Sequence, residues 1–237
     1  MAKKVMGQDG KMYKVKKPFY KKVWFWILAL IVIAIIGGAL GGGSDNKDTS
    51  KNADTEKVDA DKKDSATSSK TSDPTLKDNF DKISLGDILS NGDGGTSLED
   101  VKGIFGEPDS TSETNLEGQT AKMMTWGGPK GGGLMSSVVV SFSNDKAVSK
   151  AVTGLKVSKH DKVTLEQFNA VTTDGSFSED QATQEFGEPD GISDTLVNGA
   201  KQSMLSWTQN VNGDIGANFN ITFDNGVATS KSNTSMK

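Results

Sequence analysis

Apolar residues fall unevenly along the chain, and their spacing divides it into three kinds of stretch. Val23–Leu40 is a run of 18 residues without a charge. Gly41–Asn79 is Gly, Ser, Asp, Lys, Thr and Asn with almost nothing apolar. From Phe80 onward apolar positions return at short periods. Ile83, Leu85, Ile88 and Leu89 are spaced for one face of a helix. Asn91–Gly95 breaks it. Thr96 or Ser97 then caps a second helix, with Glu99 or Asp100 at the capping-box position. Leu98, Val101, Ile104 and Phe105 form its buried stripe; Gly106 closes it and Pro108 forbids continuation. Four strands follow, at Ser110–Leu116, Thr120–Trp126, Met135–Phe142 and Ala147–Val152. In each, one side alternates with the other, as Met124 and Trp126 do with Met123 and Thr125.

The same succession then recurs. Leu165 and Phe168 mark a helix. Ser178 caps another, with Gln181 at the box position and Ala182 and Phe186 facing inward. Asn198-Gly199 is a hairpin turn signal, Leu205 and Trp207 end a strand, and Phe219, Ile221 and Phe223 alternate with Asn220 and Thr222. The pentapeptide Phe-Gly-Glu-Pro-Asp occurs at Phe105–Asp109 and at Phe186–Asp190. Trp126 and Trp207, Phe142 and Phe223, and Lys150 and Lys231 share its offset of 81. Upstream the offset reads as 80, from Leu85 to Leu165 and from Glu99-Asp100 to Glu179-Asp180. The sequence therefore predicts an α+β protein of two tandem repeats. Each is helix–loop–helix plus a four-stranded antiparallel sheet, with one apolar sheet face under its helices. In the pentapeptide, Phe packs, Gly stops the helix, Pro redirects the chain and the acids face water.

The apolar run adds a membrane expectation. As a helix it spans ~27 Å at 1.5 Å per residue, close to a hydrocarbon core of ~30 Å. Trp24 and Trp26 sit at its lysine-flanked end, where indoles favour the interface. The long basic region and the lack of an Ala-x-Ala-like site favour an uncleaved anchor over a signal peptide. The expected order is a basic cytoplasmic tail at 1–22, a transmembrane helix at 23–40, a disordered linker at 41–79, and repeats at 80–155 and 156–237. The expected location is the cell membrane, single-pass, with the N-terminus cytoplasmic and the C-terminal domain extracellular.

Composition narrows the chemistry. Cysteine and arginine are absent and His160 is the one histidine. That excludes disulfides, thiolate chemistry and bidentate Arg recognition of phosphate or guanine. Eight of the 27 lysines lie in residues 1–22 against one aspartate, so beyond them 19 lysines face 30 acids. Such an acidic balance argues against nucleic-acid binding. The loop Gly127–Gly133 lacks the Gly-Lys-Ser/Thr of a phosphate loop. Asn91-Gly-Asp93 misses the EF-hand spacing for calcium. Neither a catalytic constellation nor a cofactor or metal site is expected.

Two short helices, a capped acidic start, a Phe-Gly-Glu-Pro stop, a Trp-ended strand and a Phe-ended strand together resemble the β-lactamase inhibitor protein family. The resemblance covers Phe80–Lys237. It implies that the helix-free face of the sheet grips a partner protein. By position that face holds Met123, Thr125, Val139, Ser141, Ser206, Asn220 and Thr222. The family's disulfides have no equivalent here, and neither does its lactamase-gripping loop. The opening of the chain, to the tryptophans, resembles the anchors of small surface proteins of lactic-acid bacteria. The leading expectation is thus a non-catalytic, membrane-anchored module that binds an extracytoplasmic protein. The alternatives are an inhibitor of a secreted or cell-wall hydrolase and, remotely, a cell-wall enzyme. A contiguous aromatic or apolar patch on the open face would favour protein binding, and a uniformly polar face a spacer.

Overall fold

The computed structural model describes residues 4–6, 12–14, 75–116, 119–133 and 135–237. It divides into two units, Met1–Asp73 and Pro74–Lys237. In the first, β1 (Lys4–Met6) and β2 (Met12–Lys14) form an antiparallel hairpin. Among the described residues no helix is long and apolar enough to cross a membrane. The run Val23–Leu40 lies outside them, as does most of the expected linker. The single-pass membrane location is therefore corrected: no element of the structure carries it.

The second unit is built on one antiparallel sheet, ordered β10-β9-β8-β7-β6-β5-β4-β3. Its strands are β3 (Ser110–Leu116), β4 (Gln119–Gly127), β5 (Ser137–Ser143), β6 (Lys146–Thr153), β7 (Gly191–Val197), β8 (Ala200–Trp207), β9 (Gly213–Asp224) and β10 (Val227–Met236). The expected α+β pair of four-stranded repeats is corrected here. The fold is mostly β, with a single eight-stranded sheet. The reason lies at the junction, where β6 pairs β7 from Ser149↔Thr195 to Thr153↔Gly191. A four-stranded unit ending at β6 would leave a row of backbone donors and acceptors unpaired, and β7 satisfies them.

Four short helices cover one face: α1 (Leu76–Asp81), α2 (Leu98–Phe105), α3 (Leu165–Ala170) and α4 (Glu179–Phe186). One continuous core joins Leu76, Phe80, Leu98 and Val101 to Phe168, Ala182 and Phe186 over Trp126, Phe142, Trp207 and Phe223. The two halves do not close separate cores. α1 starts inside the expected linker, because Thr75 caps it reciprocally with Asp78 and Leu76 and Phe80 supply buried anchors.

The helix expected over Ile83–Leu89 is absent. Its backbone is used elsewhere: Gly86 N donates to Ala147 O at 2.8 Å, and Thr96 N to Ser84 O at 2.9 Å. Only Ile88–Ser90 makes a 3-10 turn, capped by Asp87. A Cβ at Gly86 would lie 2.0 Å from the Gly92 carbonyl oxygen, so this segment folds back tightly on itself.

The upstream offset of 80 is also corrected. The N-caps Ser97 and Ser178 are 81 apart, and each accepts from the third residue of its helix. The counterpart of Phe80 is Phe168. Ile83 N donates to Phe80 O and Val171 N to Phe168 O, both at 3.2 Å. Phe80 and Ser97 are 17 residues apart, Phe168 and Ser178 only 10, so the first half carries seven more residues between its helices. That longer loop reaches the other half, where Gly199 N donates to Asp87 Oδ2.

Candidate partner-binding face

The ladder register decides which side chains share the helix-free face. Three adjacent rows cross it. One runs Ser112, Met123, Ser141, Ser149, Thr195, Gln202, Asp224. The next runs Ser110, Thr125, Val139, Ala151, Ser193, Met204, Thr222, Ser230, and the third includes Ser137, Thr153, Ser206, Asn220 and Ser232. All seven residues expected on a binding face fall in these rows. Met123 and Ser141 share the first, Thr125, Val139 and Thr222 the second, and Ser206 and Asn220 the third. With strands ~4.8 Å apart, the face is ~34 Å wide.

Exposure is graded across it. Met123, Thr125, Val139, Ser206, Asn220 and Thr222 are half-buried. Ser141 is 5% exposed, and its neighbours Ser149 and Thr195 are buried as well. Small hydroxyls at the middle strands sit below their larger neighbours. The Asp87–Gly95 loop adds cover at one end: a Cβ at Gly92 would meet Lys146 Cβ at 2.8 Å and the Ser143 carbonyl at 3.1 Å.

The chemistry of the face is uncharged but not apolar. Within the three rows Asp224 is the one charged residue. Val139 lies opposite Ala151, and Met204 is one strand further on, past Ser193. No aromatic residue joins this strip. Three side-chain polar atoms are buried without a partner among the described residues, and two of them, Ser141 Oγ and Asp224 Oδ1, belong to these rows. An unsatisfied buried group costs about 1–3 kcal/mol.

Two apolar side chains escaped the sequence reading. Met135, in the β4–β5 connection, is 88% exposed, and Ile215, near the start of β9, is fully exposed. Each adjoins a left-handed backbone position: Met135 itself has φ 62°, and Gly216 has φ 86°. The sequence carried no signal for either exposure: Met135 reads as the first residue of a strand that in fact begins at Ser137.

The pentapeptides are structural. Trp126 Nε1 donates to Gly106 O and Trp207 Nε1 to Gly187 O, both at 2.9 Å. The expectation that both aspartates face water is corrected at Asp190, which is 3% exposed. Its carboxylate accepts from Thr208 N at 2.7 Å, Thr208 Oγ1 at 2.8 Å and Gln209 N at 2.8 Å. Asp109 stays exposed and accepts from Gly127 N. Lys150 Nζ donates to Phe80 O at 3.0 Å and Ile83 O at 2.9 Å, fastening the end of α1. Lys231 Nζ does the same for α3, donating to the carbonyls of Phe168, Asn169 and Val171. Burial pushes both ammonium groups below the ordinary lysine range. His160 Nδ1 is 2.8 Å from Asp161 O, in the connection between the halves. Among the described residues no group of three or more His, Asp or Glu is placed to hold a metal ion.

Comparison with known proteins places this architecture. The fold is similar to the crystal structure of a candidate β-lactamase inhibitor protein from Streptococcus mutans. The two share 20% sequence identity at a TM-score of 0.54, over 67% of this chain and 94% of that one. The likeness supports a β-lactamase-inhibitor-like fold. No curated protein matches the sequence. A family model described as a domain of unknown function with solved structure, DUF3862, matches residues 71–236. The chain belongs to that family.

Proposed function

We propose that this protein is a non-catalytic binding module whose helix-free sheet face docks another protein. One observation carries the reading: three adjacent rows on the helix-free face hold one charge, Asp224, and the middle row crosses all eight strands, in a domain whose remaining surface is rich in carboxylates. Charge depletion with part-exposed methionines, here Met123 and Met204, is the composition of an interface centre. A patch ~34 Å wide is also ample for the ~800 Å² that a partner typically covers. The short Val139–Ala151 strip supports docking over a spacer role. The test is affinity capture from cell extracts with the full chain and with Val139→Lys. A saturable protein partner lost in the variant supports the reading. Capture indifferent to Val139→Lys, with folding intact, refutes it.

A second reading has its own support. The Streptococcus mutans protein of similar fold is described as a candidate β-lactamase inhibitor, and inhibition is one form of face-on docking. Assay of the purified chain against a panel of β-lactamases and peptidoglycan hydrolases tests it. Full enzyme activity at saturating protein throughout the panel sets the inhibitor reading aside.

A further inference from the structure

The dipeptide Asn-Gly occurs at Asn91-Gly92, Asn198-Gly199, Asn212-Gly213 and Asn225-Gly226. Such a pair is chemically labile. The glycine backbone nitrogen attacks the asparagine carboxamide carbon and closes a five-membered succinimide, and the carboxamide nitrogen leaves as ammonia. Water then opens the ring to aspartate or isoaspartate. Glycine has no Cβ to hinder the approach. The local sequence is the same at each pair, so differences among them come from the fold.

Three of the pairs are restrained or lack a proton acceptor. Asn225 Oδ1 accepts from Lys201 N at 3.0 Å. Asn212 Nδ2 donates to Lys237 O at 3.0 Å. Gly92 N donates to the backbone carbonyl of Asp87 at 2.9 Å, a group too weakly basic to take a proton. The fourth pair is different. Asn198 and Gly199 form the exposed two-residue turn between β7 and β8, with φ 54° and 75°. The Asn198 side chain makes no hydrogen bond among the described residues, and a Cβ at Gly199 would meet nothing within 4 Å. Gly199 N donates to the carboxylate of Asp87, at Oδ2. The other oxygen, Oδ1, accepts from Leu89 N at 2.7 Å, which fixes the carboxylate in place. A hydrogen bond of Gly199 N–H lies in the peptide plane, whereas attack uses the face of the nitrogen, so the two do not compete.

We propose that Asn198-Gly199 is a self-modifying site at which Asp87 takes the proton. As the bond from Gly199 N to Asn198 Cγ forms, the N–H proton passes to Asp87 Oδ2. The carboxamide C–N bond breaks, and the leaving nitrogen collects that proton and departs as ammonia. The imide nitrogen carries no hydrogen, so the bond from Gly199 to Asp87 is lost at this first step. Ring opening by water restores the N–H but leaves a new carboxylate beside that of Asp87, and like charges disfavour the old contact. Isoaspartate also lengthens the backbone of a turn that sets Val197 opposite Ala200. The longer loop of the first half is thereby released from the second half. The site lies in a turn at the end of the sheet and does not depend on the docking reading above.

The test ages the full chain in mildly alkaline buffer and follows each asparagine by peptide mapping with mass spectrometry. Conversion at Asn198 is expected to run at least fivefold faster than at Asn91, Asn212 or Asn225. Asp87→Asn keeps an acceptor for Leu89 N but cannot take the proton, and slows Asn198 at least threefold without changing Asn212 or Asn225. The wild-type chain unfolded in urea needs no variant: there the advantage of Asn198 disappears. Hydrogen exchange at the amides of Gly92 and Gly95 is faster in the aged chain than in the fresh one. Folded-state conversion at Asn198 no faster than at the other three sites overturns the proposal. So does an advantage that persists in urea, a rate at Asn198 unchanged or raised in folded Asp87→Asn, or loop exchange unaltered by ageing.

Discussion

Trp126 and Trp207 donate the same hydrogen bond to the same kind of helix-ending glycine, yet the packing around them differs. Trp207 stacks on Phe219 at 4.8 Å with planes 10° apart. Phe186 meets both rings edge-on, at 5.9 Å and 5.3 Å, and Phe168 joins Phe219 at 5.6 Å. Trp126 has Phe105 at 5.7 Å, and Val138 stands where Phe219 does in the ladder. The first half compensates along the chain. Its seven extra residues hydrogen-bond to β6 and tie Asp87 to the β7–β8 turn. A shared frame of main-chain bonds therefore sets where each element lies, and different side chains stabilise it in the two halves of the sheet.

The largest effect that separates the halves is at the helix-ending phenylalanines. Phe186 is 1% exposed inside the aromatic cluster, and Phe186→Ala costs about 3–5 kcal/mol. Phe105 is half-buried against one ring, and Phe105→Ala costs about 1–2 kcal/mol. Urea denaturation of the two variants measures both. Equal losses would mean that the aromatic cluster adds nothing beyond ordinary burial, and the contrast between the halves would fall.

A second separation is at the pentapeptide aspartates. Asp190→Ala leaves Thr208 N and Gln209 N without their acceptor in a buried site, a loss of about 2–3 kcal/mol. Asp109→Ala frees one exposed amide to water and costs about 0.5–1 kcal/mol. The same denaturation series reads the difference, and a reversed order would show that the Asp190 nest is not a stabilising feature.

Much of this was legible before any coordinates. Caps, helix stops and strand alternation all leave local marks, so α2, α4, β3 to β6 and the marked parts of β8 and β9 fall close to where periodicity and turn residues place them. Thr75 escaped notice because its helix is only six residues long and begins inside a polar stretch. The Ile83–Leu89 spacing misled because those residues are buried one at a time by long-range bonds to β6, which leave no period in the sequence. The junction pairing of β6 with β7 was equally invisible, since whether two edges meet depends on their relative position. Which residues share the helix-free face was readable from strand alternation residue by residue. The exposure of Met135 and Ile215 was not, because an apolar letter in a turn carries no information about what covers it.

The buried lysines sharpen the comparison through pH. Lys150 is 6% exposed, and burial, opposed by Asp194 and Asp81, holds its ammonium below the ordinary lysine value. Lys231 is shifted the same way by burial but lies half-exposed on the outer strand. Because the folded value is the lower one, the unfolded chain binds the proton more tightly. The cost of burying the charge is present in full below the folded pKa. Stability contributed at this site rises as pH climbs from there to the ordinary lysine value, then levels. Denaturation between neutral and strongly alkaline pH should show Lys150→Met removing more of that rise than Lys231→Met. Equal slopes would place the two ammonium groups in equivalent surroundings.

The smallest expected difference is also the most specific to sequence. Lys102 and Glu107 form a solvent-facing pair, with Glu107 80% exposed at its side chain, so Glu107→Gln costs no more than ~0.5 kcal/mol. Glu188→Gln loses no ion pair and removes an anion from the C-terminal end of a helix dipole, so stability stays level or rises by ~0.3 kcal/mol. Opposite signs in the two variants, resolved by denaturation at low ionic strength and merging at high salt, would show that Thr183 in place of Lys102 leaves an anion that the fold itself does not need. Matching signs would return Glu188 to the role of an ordinary surface carboxylate.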